Sequence, residues 1–210
     1  MTSNRFSSNG GQVFNLAVGS ITVKARITAW STAGTSSSSE VKKGTRQANS
    51  NGLGVTSTGE LGSSPNHTID NYGNKDFLIF QFDQPVELAS AKFTTHNMGS
   101  SLTDGDAIIV YENTATNWNK DLLAGTSTYS QLSLVFGNSF EASNVKATSG
   151  QTSPIRQLNG GNKIADSWLI GGAFVQPNDQ CCKKSTGKVC SDGSKLSNIN
   201  VVAGAAPEPS

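Results

Sequence analysis

Every second residue of Ile21-Thr-Val23-Lys-Ala25-Arg-Ile27-Thr-Ala29 is apolar. A period of two throws successive side chains to opposite faces of an extended chain, so this segment predicts a strand with one face in a core and Lys24 and Arg26 on the other. Such half-buried strands belong to antiparallel sheets. A second segment, Phe77-Leu-Ile-Phe-Gln-Phe-Asp83, is aromatic and β-branched enough for a central strand, and Gln84-Pro85 is expected to turn the chain into a further strand over Val86 to Phe93. More strands are expected at Val13 to Val18, Ala107 to Tyr111, Gln131 to Phe136, Trp168 to Val175 and Leu196 to Val202. Asn9-Gly10, Asn51-Gly52 and Asn159-Gly160 are turn signals, because both residue types tolerate positive φ. Only Ala115 to Leu123, ended by Gly125, reads as a helical turn.

Composition points the same way. The chain holds 29 Ser, 22 Gly, 19 Thr and 19 Asn, so 89 of its 210 residues are small or turn-forming, which disfavours a helical protein. Many short strands with little helix predict an all-β fold, a single antiparallel β-sandwich of jelly-roll-like form over residues 1–202. The last residues, Ala203-Gly-Ala-Ala-Pro-Glu-Pro-Ser210, carry two prolines that cannot join a ladder and are expected to form a flexible tail over 203–210. A formal charge of +1, with no dense basic stripe, gives no support to nucleic-acid capture or to binding of anionic membranes. The longest apolar runs, Phe77 to Phe80 and Trp168 to Val175, fall far short of the roughly 18 residues a membrane helix requires. The opening Thr2-Ser-Asn-Arg-Phe-Ser-Ser-Asn-Gly-Gly has no apolar signal-peptide core and is as polar as a processed N-terminus.

Pro207-Glu208-Pro209-Ser210 resembles the head of the PEP-CTERM sorting signal, in which a Pro-Glu-Pro motif is followed by a transmembrane helix and a basic cluster. The body of the chain is similar to the ectodomains of that family in Asn51-Gly-Leu-Gly-Val55, His67-Thr-Ile-Asp-Asn71 and Asp76-Phe-Leu-Ile-Phe-Gln-Phe-Asp-Gln-Pro-Val86. Asp104-Gly-Asp106-Ala-Ile-Ile-Val110 and Ser167-Trp-Leu-Ile-Gly171 extend the resemblance over most of residues 51–210, while residues 1–50 carry little of it. The helix and basic cluster of the full signal are missing, which leaves native anchoring open. The resemblance implies exosortase-dependent export to the cell surface or extracellular matrix of a Gram-negative bacterium. It implies no catalytic or ligand site.

Export favours oxidation of thiols. A disulfide from Cys182 to Cys190, or from Cys181 to Cys190, would close a short loop and stabilise by about 2 to 3 kcal/mol if unstrained. The third cysteine is then free, or pairs between chains and drives self-association. Zinc is a competing reading, although three thiols, two of them vicinal and none beside a histidine, do not give normal zinc spacing.

Two groups of hard oxygen ligands fit one structural calcium: Asp70, Asn71, Asn74 and Asp76 around Gly73, and Asp104 with Asp106 around Gly105. The plainer reading is that these are turn residues capping their own backbone. His67 and His96 are the two histidines, and Ser63, Ser64 and Asp70 lie near His67 in sequence, but no nucleophile elbow, zinc-protease motif or P-loop is present. No enzymatic activity is expected. Trp168 opens an apolar run and reads as core. Trp118, in the polar stretch Asn117-Trp118-Asn119, is the best candidate for ligand contact, since a flat aromatic face matches the apolar face of a pyranose. The sequence therefore predicts a non-enzymatic exported surface or matrix protein associated with biofilm or exopolysaccharide. The alternative is a calcium-assisted carbohydrate-binding module whose partner is an extracellular polysaccharide, and a secreted hydrolase using His67 or His96 stands third.

Overall fold

The computed structural model describes residues 11–34, 36–57, 67–70, 74–95, 107–114, 117–125, 128–136, 140–143, 155–157, 163–172 and 193–204. The alternating segment forms strand β2 (Ile21–Thr32), with Val23, Ala25, Ile27 and Ala29 buried on one face. It follows β1 (Gln12–Val18) through a tight hairpin at Gly19-Ser20. Gly19 has φ +61°, the left-handed conformation such a turn needs.

The three next strands are short: β3 (Val41–Lys43), β4 (Thr45–Asn49) and β5 (Gly52–Thr56). They are followed by β6 (Ile69–Asp70) and by β7 (Asp76–Thr95), which runs unbroken for 20 residues. The expected turn at Gln84-Pro85 is therefore absent, and one strand stands where two were predicted. Pairing explains how proline is tolerated there. The first half of β7 is bonded to β2 up to Ala25↔Phe82, and to β11 (Ala165–Gly172) up to Ser167↔Gln81. The β11 ladder then slips and resumes at Ala165↔Val86, so the missing N–H of Pro85 falls in a bulge and costs no ladder bond. The second half of β7 pairs with β12 (Gly193–Ala203) on one side and β10 (Ile155–Gln157) on the other.

All the strands belong to one antiparallel sheet that curls into a half-barrel. One arm carries β1 and β3 on β2, then the first half of β7, β11, β8 (Ala107–Glu112) and β9 (Phe140–Ser143). The other carries the second half of β7, β12, β5 and β4, with β6 also paired to β12. The main core fills the inside of the curl. Leu78, Phe80 and Phe82 meet Val23, Ala25 and Ile27 there, with Leu88, Phe93, Trp168, Ile170 and Leu196 from the surrounding strands.

A second core lies on the outer face of the first arm. Because β7 is buried on both faces, Phe77 and Ile79 point away from the main core and join Trp30, Val41, Ile108, Val110 and Leu169. Residues 117–125 and 128–136 cover them with Leu123, Leu132 and Phe136. Here two expectations are corrected. Gln131 to Phe136 is not a strand: Tyr129–Gln131 is a 3-10 turn that leads into α1 (Leu132–Val135). A helical turn places Leu132, Val135 and Phe136 together on the core side and leaves Leu134 82% exposed. Thr128 starts it, its N–H donating to Gln131 Oε1 at 3.0 Å. The described part of Ala115 to Leu123 is a pair of tight turns in place of the expected helical turn.

Candidate functional site

On the outer face of β2, Arg26 stands directly opposite Gln81 of β7. The sequence places Arg26 with Lys24 on the half-buried strand's open face, and Lys24 is exposed, but Arg26 keeps only 7% of its surface in water. Residues 117–125 cover it. Its guanidinium donates from Nη1 to Gln81 Oε1 at 2.9 Å and to the Lys120 carbonyl at 3.0 Å, and from Nη2 to Asp121 Oδ1. Gln81 Nε2 donates to the same Lys120 carbonyl at 2.9 Å. From β3, Lys43 Nζ reaches Asp121 Oδ2 at 2.7 Å and lies 5.8 Å from the centroid of the Trp30 ring. A planar guanidinium with its five donors suits this site, since it bonds a side-chain amide, a carbonyl and a carboxylate at once.

Asp121 shares two cations. Partial burial acts to raise its carboxyl, but the hydrogen bonds and charges of Arg26 and Lys43 outweigh that and hold it below the usual carboxylate range. Just upstream the chain makes a β-turn, with Lys120 N–H donating to the Asn117 carbonyl at 2.9 Å and Asn119 N–H to Asn117 Oδ1 at 3.3 Å. Trp118 and Asn119 occupy the two corners of this turn. Asn117 and Asn119 are exposed and Trp118 is half-buried. The turn is fixed from behind, since the Lys120 carbonyl takes two donors, Asp121 takes two more and Leu123 is buried in the second core.

A second polar cluster ties down the other approach to this loop. Asp166 Oδ1 accepts from the Thr114 N–H at 3.0 Å and from the Ser167 hydroxyl at 2.8 Å. Ser167 lies opposite Gln81, so Arg26, Gln81 and Ser167 form one row across three strands beneath the loop. The sequence reading missed this row because a period-two pattern assigns a residue to a face without saying whether that face is covered.

The other candidates fall elsewhere. Asp70 is buried in β6 and accepts from the Thr68 hydroxyl at 2.7 Å, and Asp76 is buried at the start of β7. Asn71, Asp104 and Asp106 lie outside the described residues, as do Cys181, Cys182, Cys190, Ser63, Ser64 and His96. Among the described residues no three His, Cys, Asp or Glu side chains converge on one point. His67 hydrogen-bonds through Nδ1 to the Thr56 hydroxyl at 2.8 Å. Trp168 is core, 1% exposed, with its indole N–H on the Ala165 carbonyl at 3.1 Å and its ring 5.2 Å from that of Tyr111.

Comparison with protein-family models, curated proteins and solved structures gives no significant match. The functional reading rests on the residues themselves.

Proposed function

We propose that this chain is a non-enzymatic, exported component of the surface or extracellular matrix of a Gram-negative bacterium, associated with its biofilm or exopolysaccharide. The observation that carries this reading is the position of the sorting-like motif. β12 ends at Ala203, and Pro207-Glu208-Pro209-Ser210 follows after only three residues. A processing signal has to stand clear of the fold it is attached to, and prolines, which cannot extend a ladder, suit that requirement. Fractionation of the source bacterium with an antiserum to the folded domain tests it. Recovery from the surface or matrix is expected, with loss from that fraction when Pro207–Pro209 is deleted, and confinement to the cytoplasm overturns the reading. Export also carries the expectation of one disulfide among Cys181, Cys182 and Cys190, so that denaturing, non-reducing thiol titration finds one thiol per chain.

The Trp118 turn favours a second reading, a carbohydrate-binding module assisted by a structural calcium at Asp70, Asn71 and Asp76 or at Asp104 and Asp106. An aromatic corner held on a fixed loop between two exposed amides is what a sugar-stacking contact needs, because ordering the loop beforehand removes that cost from binding. Affinity electrophoresis through polysaccharide-containing gels, with calcium and with chelator, tests both halves of it. Retardation lost with chelator supports the calcium, and unchanged retardation removes it.

A further inference from the structure

Charge around the Trp118 turn is uneven. The Arg26 and Lys43 side chains share the single carboxylate of Asp121. Lys120, two residues beyond Trp118, is exposed, and so is Lys24, which lies two residues before Arg26 on the same face of β2. Lys24 is thus about 7 Å along the strand from the residue that holds the Lys120 carbonyl. Neither lysine pairs with a carboxylate among the described residues; the Asp83 carboxylate beside Lys24 instead accepts the Lys24 backbone N–H at 2.9 Å. At this end of the loop four cations face two carboxylates, and the two with no partner are the two in water. Glu112 and Asp166 sit at the other end of the loop, where they accept the backbone N–H groups of Asn113 and Thr114.

We infer that the Trp118 turn is a docking site for a carboxylated polysaccharide, with the Trp118 indole stacked on one sugar ring and Lys120 and Lys24 pairing with uronate carboxylates to one side of it. This rests on the carbohydrate-binding reading and adds the class of sugar to it. A stacked ring fixes position without charge selectivity, and two unpaired ammonium groups supply the selectivity. The clamp beneath supplies rigidity: Arg26, Gln81 and Lys43 are occupied by the loop itself, which leaves Lys24 and Lys120, among the described residues at this end of the loop, as cations free for a ligand.

The test is affinity electrophoresis of the full 210-residue chain, with chelator present, in gels cast with polygalacturonate or with neutral hydroxyethyl cellulose. Retardation is expected in polygalacturonate alone. Trp118→Ala and the double variant Lys24→Ala with Lys120→Ala should each weaken it by about tenfold, while circular dichroism shows both folded. Lys120→Ala alone changes an exposed side chain, keeps the backbone carbonyl that Arg26 and Gln81 bond, and should give a partial loss. Equal retardation in both gels overturns the uronate assignment and leaves the carbohydrate reading standing. Retardation in polygalacturonate that survives Trp118→Ala overturns it as well, since it then reflects net charge without a stacking site. Free migration in both gels overturns the assignment, and repeating the neutral gel with calcium in place of chelator separates this failure from that of the calcium-assisted carbohydrate reading, which is overturned when the chain migrates freely there too.

Discussion

Arg26 shows what a single buried charge demands of its surroundings. Its side chain is 8% exposed and is neutralised by Asp121, a residue 95 positions away. Breaking a buried pair costs about 3 to 5 kcal/mol because the remaining charge is stranded. Asp121 keeps 27% of its side chain in water, so Asp121→Asn should destabilise by less, about 2 to 3 kcal/mol in urea unfolding. The same pair predicts a pH dependence. The folded-state carboxyl of Asp121 is depressed, so its stabilisation is present above the ordinary aspartate value of about 3.9 and is lost as pH falls through the lower folded value. The gap in urea midpoint between the wild type and Asp121→Asn should therefore stay constant from neutral pH to about pH 5 and close in stronger acid. A gap that persists there would remove Asp121 as the partner. Gly54 makes a steric demand. A Cβ on it would stand 1.7 Å from the His67 carbonyl oxygen, a backbone atom that cannot swing aside. Gly54→Ala should lower stability by about 3 kcal/mol or more and break the Thr56–His67 hydrogen bond, which shows as a shift of the His67 ring resonances.

At the level of elements, the cap formed by residues 117–125 and 128–136 separates positions that composition alone treats alike. Leu123 is 2% exposed in the second core and Leu134 is 82% exposed on the helical turn. Leu123→Ala should cost about 2 to 4 kcal/mol by thermal unfolding and Leu134→Ala under about 0.5 kcal/mol. A reversal of that order would mean that the turn faces the other way. The long strands were legible in the sequence because alternation over nine residues has one structural interpretation in β2, and because the first half of β7 is a run of aromatic and β-branched residues that suits a strand buried on both faces. Runs of two to five residues such as β3, β4 and β6 carry too few periods to be seen. Pro85 misled because its usual consequence is a turn, whereas a bulge accommodates it equally well. Gln131 to Phe136 misled because its leucines alternate, although Thr128-x-x-Gln131 carries the capping signal of a helix start. In the candidate site the aromatic Trp118 and its amide neighbours could be read from local polarity. The clamp under them could not, since Arg26, Gln81 and Asp121 meet only through strand pairing and a loop folded back from far along the chain.

Over the whole molecule, β7 belongs to both arms of the sheet: its first half is flanked by β2 and β11, its second by β12 and β10. Phe77 to Phe82 are therefore the residues most enclosed, with cores on both faces and hydrogen-bonded neighbours on both edges. Native-state hydrogen exchange should find the slowest amides in Phe77–Phe82, in Ala25–Trp30 and in Trp168–Ile170, and faster exchange in β4 and β5. Equal protection throughout would mean that the two arms open only together. This shared strand also has a mechanical consequence. Tension applied to the chain beyond Ala203 enters β12, whose ladder with β7 begins at Ala203↔Val86, beside the bond from the Gly204 N–H to the Pro85 carbonyl. The load thus arrives at the bulge where the two arms meet and divides between them, so that a tether at this end pulls against the seam of the fold.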